Sequence, residues 1–181
     1  MGIIGLGFIG RLVCERLYPF DVQIIAYDPY VFDEEAATLH VSMRPLDALF
    51  CEAQVVTLHA PLLPETRGMV TGAHLASMPH GGTFINTSRG RLVQQEELIT
   101  VLAQRRDLQA VLDVTYPEPP PPGSALYSLP NVVLTPHIAG SLGSERRRMG
   151  EAMVGELQRF VTGEPLLHAV TKEQVQYMAT P

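Results

Sequence analysis

Gly5-Leu6-Gly7-Phe8-Ile9-Gly10 fits the pattern G-x-G-x-x-G, and its setting constrains the fold more than any other feature of the chain. It joins a short apolar run at residues 2–5 to a stretch in which Ile9, Leu12, Val13 and Leu17 recur at helical spacing. A strand that turns straight into a helix through three glycines is the opening of a βαβ unit. Gly5 permits the tight turn, Gly7 lets a pyrophosphate approach the backbone, and Gly10 allows the helix to pack close to the strand. The helix start then offers free N–H groups and a partial positive charge to phosphate oxygens. Such a turn alone also closes βα units that bind nothing. The second apolar run, residues 23–27, adds a discriminating feature because it ends at Asp28, about 20 residues on. A carboxylate there accepts hydrogen bonds from ribose hydroxyls and repels a 2′-phosphate. Alone, Asp28 reads as a turn residue before Pro29; with the glycines it points to a dinucleotide, and to NAD over NADP.

The same alternation continues along the chain. Runs rich in Val, Ile and Leu occupy residues 2–5, 23–27, 55–58, 83–86, 110–113 and 132–134. Their shortness and near-continuous apolarity suit strands covered on both faces. Leu98, Ile99, Val101 and Leu102 mark a helix after Gln94. Met149, Met153, Leu157, Phe160 and Val161 mark a long helix capped by Ser144, with Glu145 in its first turn and Gly163 and Pro165 at its end. The pattern predicts an α/β fold: a Rossmann-type doubly wound parallel sheet with helices on both faces. With 181 residues there is room for one domain. It is drawn at residues 1–168, with residues 169–181 as a tail able to form a short helix.

Composition narrows the classes of function. Charged residues are 18% and apolar residues 46%, in keeping with much buried parallel sheet. A net charge of −6 without a basic run argues against a nucleic-acid groove. Cys14 and Cys51 form no metal or redox spacing and read as small hydrophobes in a reducing cytosol. His74 and His80 lack a Cys or acidic partner at ligand spacing, so no metal is expected. No stretch is long and apolar enough to span a bilayer, and the chain is read as cytoplasmic. No G-x-S-x-G is present, which excludes a serine hydrolase of that type. The proline-rich stretch at residues 117–122, interrupted only by Glu118, reads as a stiff extended loop.

Four further segments carry polar groups that composition does not explain. They are His59-Ala60-Pro61-Leu62 leading into Pro64-Glu65-Thr66-Arg67-Gly68, Asn86-Thr87-Ser88-Arg89-Gly90, Asp113-Val114-Thr115-Tyr116-Pro117-Glu118-Pro119, and Thr135-Pro136-His137-Ile138-Ala139-Gly140. In this order they resemble the signature segments of the D-isomer-specific 2-hydroxyacid dehydrogenases, and the resemblance runs from Gly2 to about Leu166. Family membership implies interconversion of a D-2-hydroxy acid and a 2-keto acid with NAD as hydride carrier. It assigns Arg89 to the substrate carboxylate and carbonyl, His137 to acid–base work, and Glu118 to the histidine. It sets Gly5, Gly7, Phe8, Ile9, Gly10, Asp28, His59, Ala60, Pro61, Thr66, Thr87, Ser88, Arg89, Asp113, His137, Ala139 and Gly140 against the cofactor, with Asp113 contacting the nicotinamide carboxamide.

The residue types suit that chemistry. Reduction of a ketone needs a cation on the carboxylate and carbonyl, a proton for the oxygen and a hydride. Arginine offers a fixed fork of donors, and imidazole titrates near neutrality. A carboxylate beside the ring fixes it and favours its protonated form. Taken singly, Arg89 reads as a loop arginine, Glu118 as a solvated acid and His137 as a loop histidine. Three positions depart from the family pattern: Phe8 is bulkier than usual and would crowd the pyrophosphate turn, Thr115 replaces an aromatic, and Gln94 replaces an acid.

In the family a substrate domain is built mainly from a segment ahead of the glycine turn, whereas here only Met1 precedes Gly2. The expectation is a chain that binds NAD but turns over poorly alone, with a homodimer through the NAD-binding domain still open. A second reading, an NAD(H)-sensing corepressor-type binding module, keeps the same Arg, Glu and His. A third, a related domain such as that of an alanine dehydrogenase or an adenosylhomocysteine hydrolase, lacks their spacing.

Overall fold

The computed structural model describes residues 1–175. Among these residues seven strands form one sheet: β1 (Gly2–Ile4), β2 (Ile25–Tyr27), β3 (Ser42–Met43), β4 (Val55–Leu58), β5 (Thr83–Asn86), β6 (Gln109–Leu112) and β7 (Val132–Leu134). Their order is β3-β2-β1-β4-β5-β6-β7 and all pairs are parallel. The order reverses between β1 and β4, the place where an open α/β sheet forms a crevice. The α/β Rossmann-type sheet expected from the alternation is thus present. The edge strand β3 was not anticipated; it is two residues long, begins with an exposed Ser42 and is cut off by Arg44-Pro45, too short to carry a period.

Side chains alternate across the strands, so two apolar layers form. Ile3, Leu6, Cys14, Ala26 and Val41 make the smaller one, under α1 (Phe8–Leu17) and α2 (Asp33–Thr38). The larger gathers Ile4, Val56, Leu58, Phe84, Ala110 and Leu112 beneath α3 (Leu46–Glu52), α4 (Gly72–Ala76) and α5 (Gln95–Gln104). Leu98 and Leu102 of α5 are buried as the stripe predicted, with Ile99 and Val101 packed against the layer. Cys14 is buried; Cys51, expected among the small hydrophobes, is exposed on α3, whose inward face is filled by Leu49 and Phe50.

The long helix α6 runs Ser144–Thr162. Gly143, with a positive φ, is its N-cap and Ser144 its first helical residue, a shift of one position from expectation; the Ser144 side chain makes no cap bond. Gly163 ends it in the left-handed conformation, as expected. No residue of α6 is buried, and its stripe Met149, Met153, Leu157, Phe160 and Val161 is exposed. A four-residue helix α7, Lys172–Val175, begins the tail, whose remainder lies outside the described residues. No described helix is long and apolar enough to cross a membrane.

Candidate active site

One row of paired residues crosses the carboxyl edge of the sheet: Tyr27, Ile4, Leu58, Asn86, Leu112 and Leu134 lie side by side in register. The residues one step beyond are Asp28, Gly5, His59, Thr87, Asp113 and Thr135. The row is apolar except for Asn86, and a polar side chain stands one step beyond it on every one of these strands but β1, where Gly5 opens the turn.

At the crevice, Gly5 has φ +91°, and a Cβ there would lie 2.7 Å from the Ala60 nitrogen. A Cβ on Gly10 would lie 2.0 Å from the Gly5 carbonyl oxygen, so helix and strand are as close as the motif demands. Gly7 faces open space, and α1 starts after it with no side chain capping its first turn. These are the features that admit a phosphate. Phe8 is 88% exposed and Ile9 is exposed, so the Phe8 ring stands in solvent and does not fill the turn. The Asp28 carboxylate accepts the Leu6 N–H at 2.8 Å on Oδ2 and the Tyr30 N–H at 2.9 Å on Oδ1. Each oxygen keeps a lone pair for a hydroxyl.

The opposite wall is built by local bonds. His59 is half-buried, donates its N–H to the Ile4 carbonyl and holds its Nε2 3.1 Å from the Thr57 hydroxyl. Burial pushes its imidazole below the ordinary histidine value, favouring the neutral ring. Thr66 Oγ1 donates to the Pro61 carbonyl and accepts the Leu63 N–H, shaping the loop after Ala60. Ser88 Oγ donates to the Ala60 carbonyl at 2.6 Å, tying that loop to the end of β5. Thr87 is exposed at the edge.

The third cluster lies beyond β6 and β7. Glu118 Oε1 is 2.6 Å from His137 Nδ1, with both side chains partly exposed. His137 has φ +55°, and its N–H donates to the Asp113 carbonyl oxygen at 3.1 Å. The Asp113 carboxylate is buried and accepts three bonds: from the Thr135 hydroxyl and the Ile138 N–H on Oδ1, and from the Ala139 N–H on Oδ2. Burial pushes the Asp113 pKa up, but these bonds together outweigh it and hold the group below the ordinary carboxylate value. The principal observed work of Asp113 is therefore to fold the turn that presents His137. Gly140 is exposed next to that turn. The peptide bonds before Pro117 and Pro119 are both cis.

Glu118 is the hinge of the geometry. It lines a cavity of about 570 Å³ with Asp113, Thr115 and His137, and also one of about 540 Å³ with Arg89. The Arg89 guanidinium, exposed, donates to the Ser88 carbonyl and has no carboxylate partner among the described residues. The structure thus brings Arg89, Glu118 and His137 to neighbouring cavities on one edge of the sheet.

Several residues here were not singled out by sequence. Asn86 is 1% exposed; its Nδ2 donates to the Arg89 carbonyl and its Oδ1 accepts the Ser88 N–H, fixing the arginine loop. An amide at the end of an apolar strand was the available signal. Thr135 holds Asp113, and Gln95 Oε1 accepts the Tyr116 N–H. Arg91 Nη2 donates to the Tyr116 hydroxyl at 2.9 Å, and its guanidinium lies 4.1 Å over that ring.

Known proteins share this sequence pattern and fold. Residues 1–139 match the family described as D-isomer specific 2-hydroxyacid dehydrogenase, NAD binding domain. A D-3-phosphoglycerate dehydrogenase of Archaeoglobus fulgidus is 32% identical over 175 residues, which are 97% of this chain and 33% of that protein. A glyoxylate reductase of Korarchaeum cryptofilum is 37% identical over 176 residues, 97% of this chain and 53% of that protein. The crystal structure of a D-isomer specific 2-hydroxyacid dehydrogenase from Lactobacillus delbrueckii ssp. bulgaricus, in its NAD-complexed form, aligns with a TM-score of 0.80 at 29% identity, covering 93% of this chain and 55% of that one. The chain thus spans between a third and about half the length of these relatives. Sequence motifs, sheet order and the matched family agree: the chain belongs to the D-isomer specific 2-hydroxyacid dehydrogenases, as their NAD-binding domain.

Proposed function

We propose that this chain is the cofactor-binding part of an NAD-dependent oxidoreductase that interconverts a D-2-hydroxy acid and a 2-keto acid. The observation that carries the reading is the Glu118–His137 pair, 2.6 Å apart, in a cavity that adjoins the one holding Arg89. The open Gly7 turn, the uncapped start of α1 and the free lone pairs of Asp28 fit a dinucleotide, and the carboxylate disfavours a 2′-phosphate. When bound, NAD(H) supplies or accepts the hydride.

The chain's own residues do the rest. Arg89 holds the substrate carboxylate and polarises the neighbouring carbonyl with its planar fork. Glu118 fixes the His137 ring through Nδ1 and leaves Nε2 for the substrate oxygen. In reduction His137 gives its proton to that oxygen; in oxidation it takes the proton back. Glu118, His137 and Arg89 are all exposed. Water competes for each, so the chain by itself binds cofactor and turns over slowly.

One series tests this, with NADH binding followed by fluorescence and turnover by loss of nicotinamide absorbance with a 2-keto acid. Asp28→Ala weakens NADH binding about tenfold, the scale of one or two lost hydrogen bonds. His137→Asn lowers whatever turnover the chain has by about 10²–10⁴-fold, a far larger effect than on NADH binding. Unchanged NADH affinity in the first variant removes the ribose assignment, and unchanged turnover in the second removes the acid–base assignment.

A further inference from the structure

The cavity of about 540 Å³ that contains Arg89 also contains Arg67 and Arg91. Its remaining walls are Leu62, Leu63 and Pro64 on one side, and Gly90, Thr115, Tyr116 and Glu118 on the other. Three arginines and a single carboxylate thus line one cavity, and that carboxylate is already engaged with His137. None of the three arginines forms an ion pair among the described residues. The Arg67 guanidinium makes no hydrogen bond among them at all, although elsewhere Arg105, Arg44 and Arg11 each reach an acid. Arg91 is half-buried and held in place by the Tyr116 ring and hydroxyl, while Gln95 fixes the Tyr116 backbone. Beyond Arg67 and Arg91 the surface turns acidic with Glu96 and Glu97, and Glu97 is occupied by the Gly72 N–H.

Like charges gathered round a concavity raise its potential and repel one another unless an anion is shared. Guanidinium groups are weakly hydrated and suited to carboxylate and phosphate oxygens. A cation pre-positioned by an aromatic face loses little freedom on binding. One anion needs one fork, and the proposed reaction spends Arg89 on the carboxylate next to the reacting carbon. Arg67 and Arg91 are left over in the same cavity.

We infer that the substrate is dianionic: a 2-keto or 2-hydroxy acid whose far end carries a second negative group, a phosphate ester or a carboxylate, received by Arg67 and Arg91. The inference rests on the reading of Arg89 given above. The apolar wall at Leu62–Leu63–Pro64 lies along the carbon chain between the two charges.

The test is calorimetric titration of the NADH-loaded chain with 2-keto acids, a readout that needs no turnover. Three ligands of similar length are compared: one with an uncharged end, one with a distal carboxylate and one with a distal phosphate. The wild type binds a doubly charged ligand at least about tenfold more tightly than the singly charged one, the scale of a charge-assisted hydrogen bond. Whichever doubly charged ligand binds tighter identifies the end group. Arg67→Gln, at an exposed position without partners, lowers that preference about tenfold, and Arg91→Gln does the same. Raising the salt concentration erodes the preference further. Equal affinity for all three ligands, or a preference that survives both substitutions, overturns the inference. Arg89→Gln separates the two ideas: if it weakens every ligand while the preference is absent, only the dianion is wrong, and if it weakens none, the underlying site assignment is wrong too.

Discussion

Asp113 illustrates how one buried carboxylate can organise a site without doing its chemistry. Its oxygens collect a hydroxyl and two backbone N–H groups from the segment that contains His137. An amide at this position would aim donors at donors. Asp113→Asn is expected to cost about 1–3 kcal/mol, the price of leaving buried polar groups unsatisfied, with the midpoint of chemical denaturation as the measure. The sign of the pH dependence follows from the same bonds. The folded state holds Asp113, Asp107 and Glu156 below the ordinary carboxylate value, so their ionised forms stabilise the fold. That contribution is complete above the unfolded carboxylate range and is lost as the pH falls through the folded values. His59, held neutral by burial, acts in the same direction near its own ordinary value. Stability is therefore expected to decline shallowly as His59 protonates and steeply below about pH 4. A thermal-melting series over pH reads this, and greater stability in acid than at neutrality would contradict it.

At the scale of elements, the 3-10 turn at Gly90–Leu92 is tightly packed. A Cβ on Gly90 would lie 2.1 Å from the Thr115 carbonyl, so the arginine loop rests directly on the backbone that leads to Glu118. Gly90→Ala must push one of the two loops away. The expected result is a loss of about 1–3 kcal/mol in stability, as for overpacking elsewhere, together with weakened binding of 2-keto acids. Wild-type melting temperature and ligand affinity in the variant would show the contact to be soft. This loop also shows what the sequence could and could not disclose. Arg89 and Asp28 stood out because each follows an apolar run whose length and composition mark a strand. The Asn86–Arg89–Ser88–Ala60 bonds, the Thr135 contact and the closeness of Arg67 to Arg91 depend on loop paths, and loops carry no period to read. For the same reason β3 escaped notice, while the stripe on α6 was evident but not its exposure, because periodicity reveals an apolar face and not what lies opposite it.

For the whole molecule, stability is concentrated in the two apolar layers around the sheet, and α6 contributes no buried residue to either. Hydrogen exchange on a dilute sample should divide accordingly. Amides of β4, β5 and β6, paired on both sides and packed under α3 to α5, are expected to exchange last, and those of α6 much earlier. Equal protection of α6 and β5 would mean that the helix is held by contacts made in solution. The register row that ends at Tyr27, Ile4, Leu58, Asn86, Leu112 and Leu134 separates two kinds of position. Behind it lie the buried residues of the two apolar layers; one step ahead of it Asp28, His59 and Thr87 reach solvent, while Gly5 and Asp113 hold their turns. Mutational drift can thus explore new chemistry at the front without eroding the scaffold at the back. Libraries confined to Asp28, His59 and Thr87, just past that boundary, should yield folded variants far more often than equal numbers of changes at Ile4, Leu58 and Asn86 behind them.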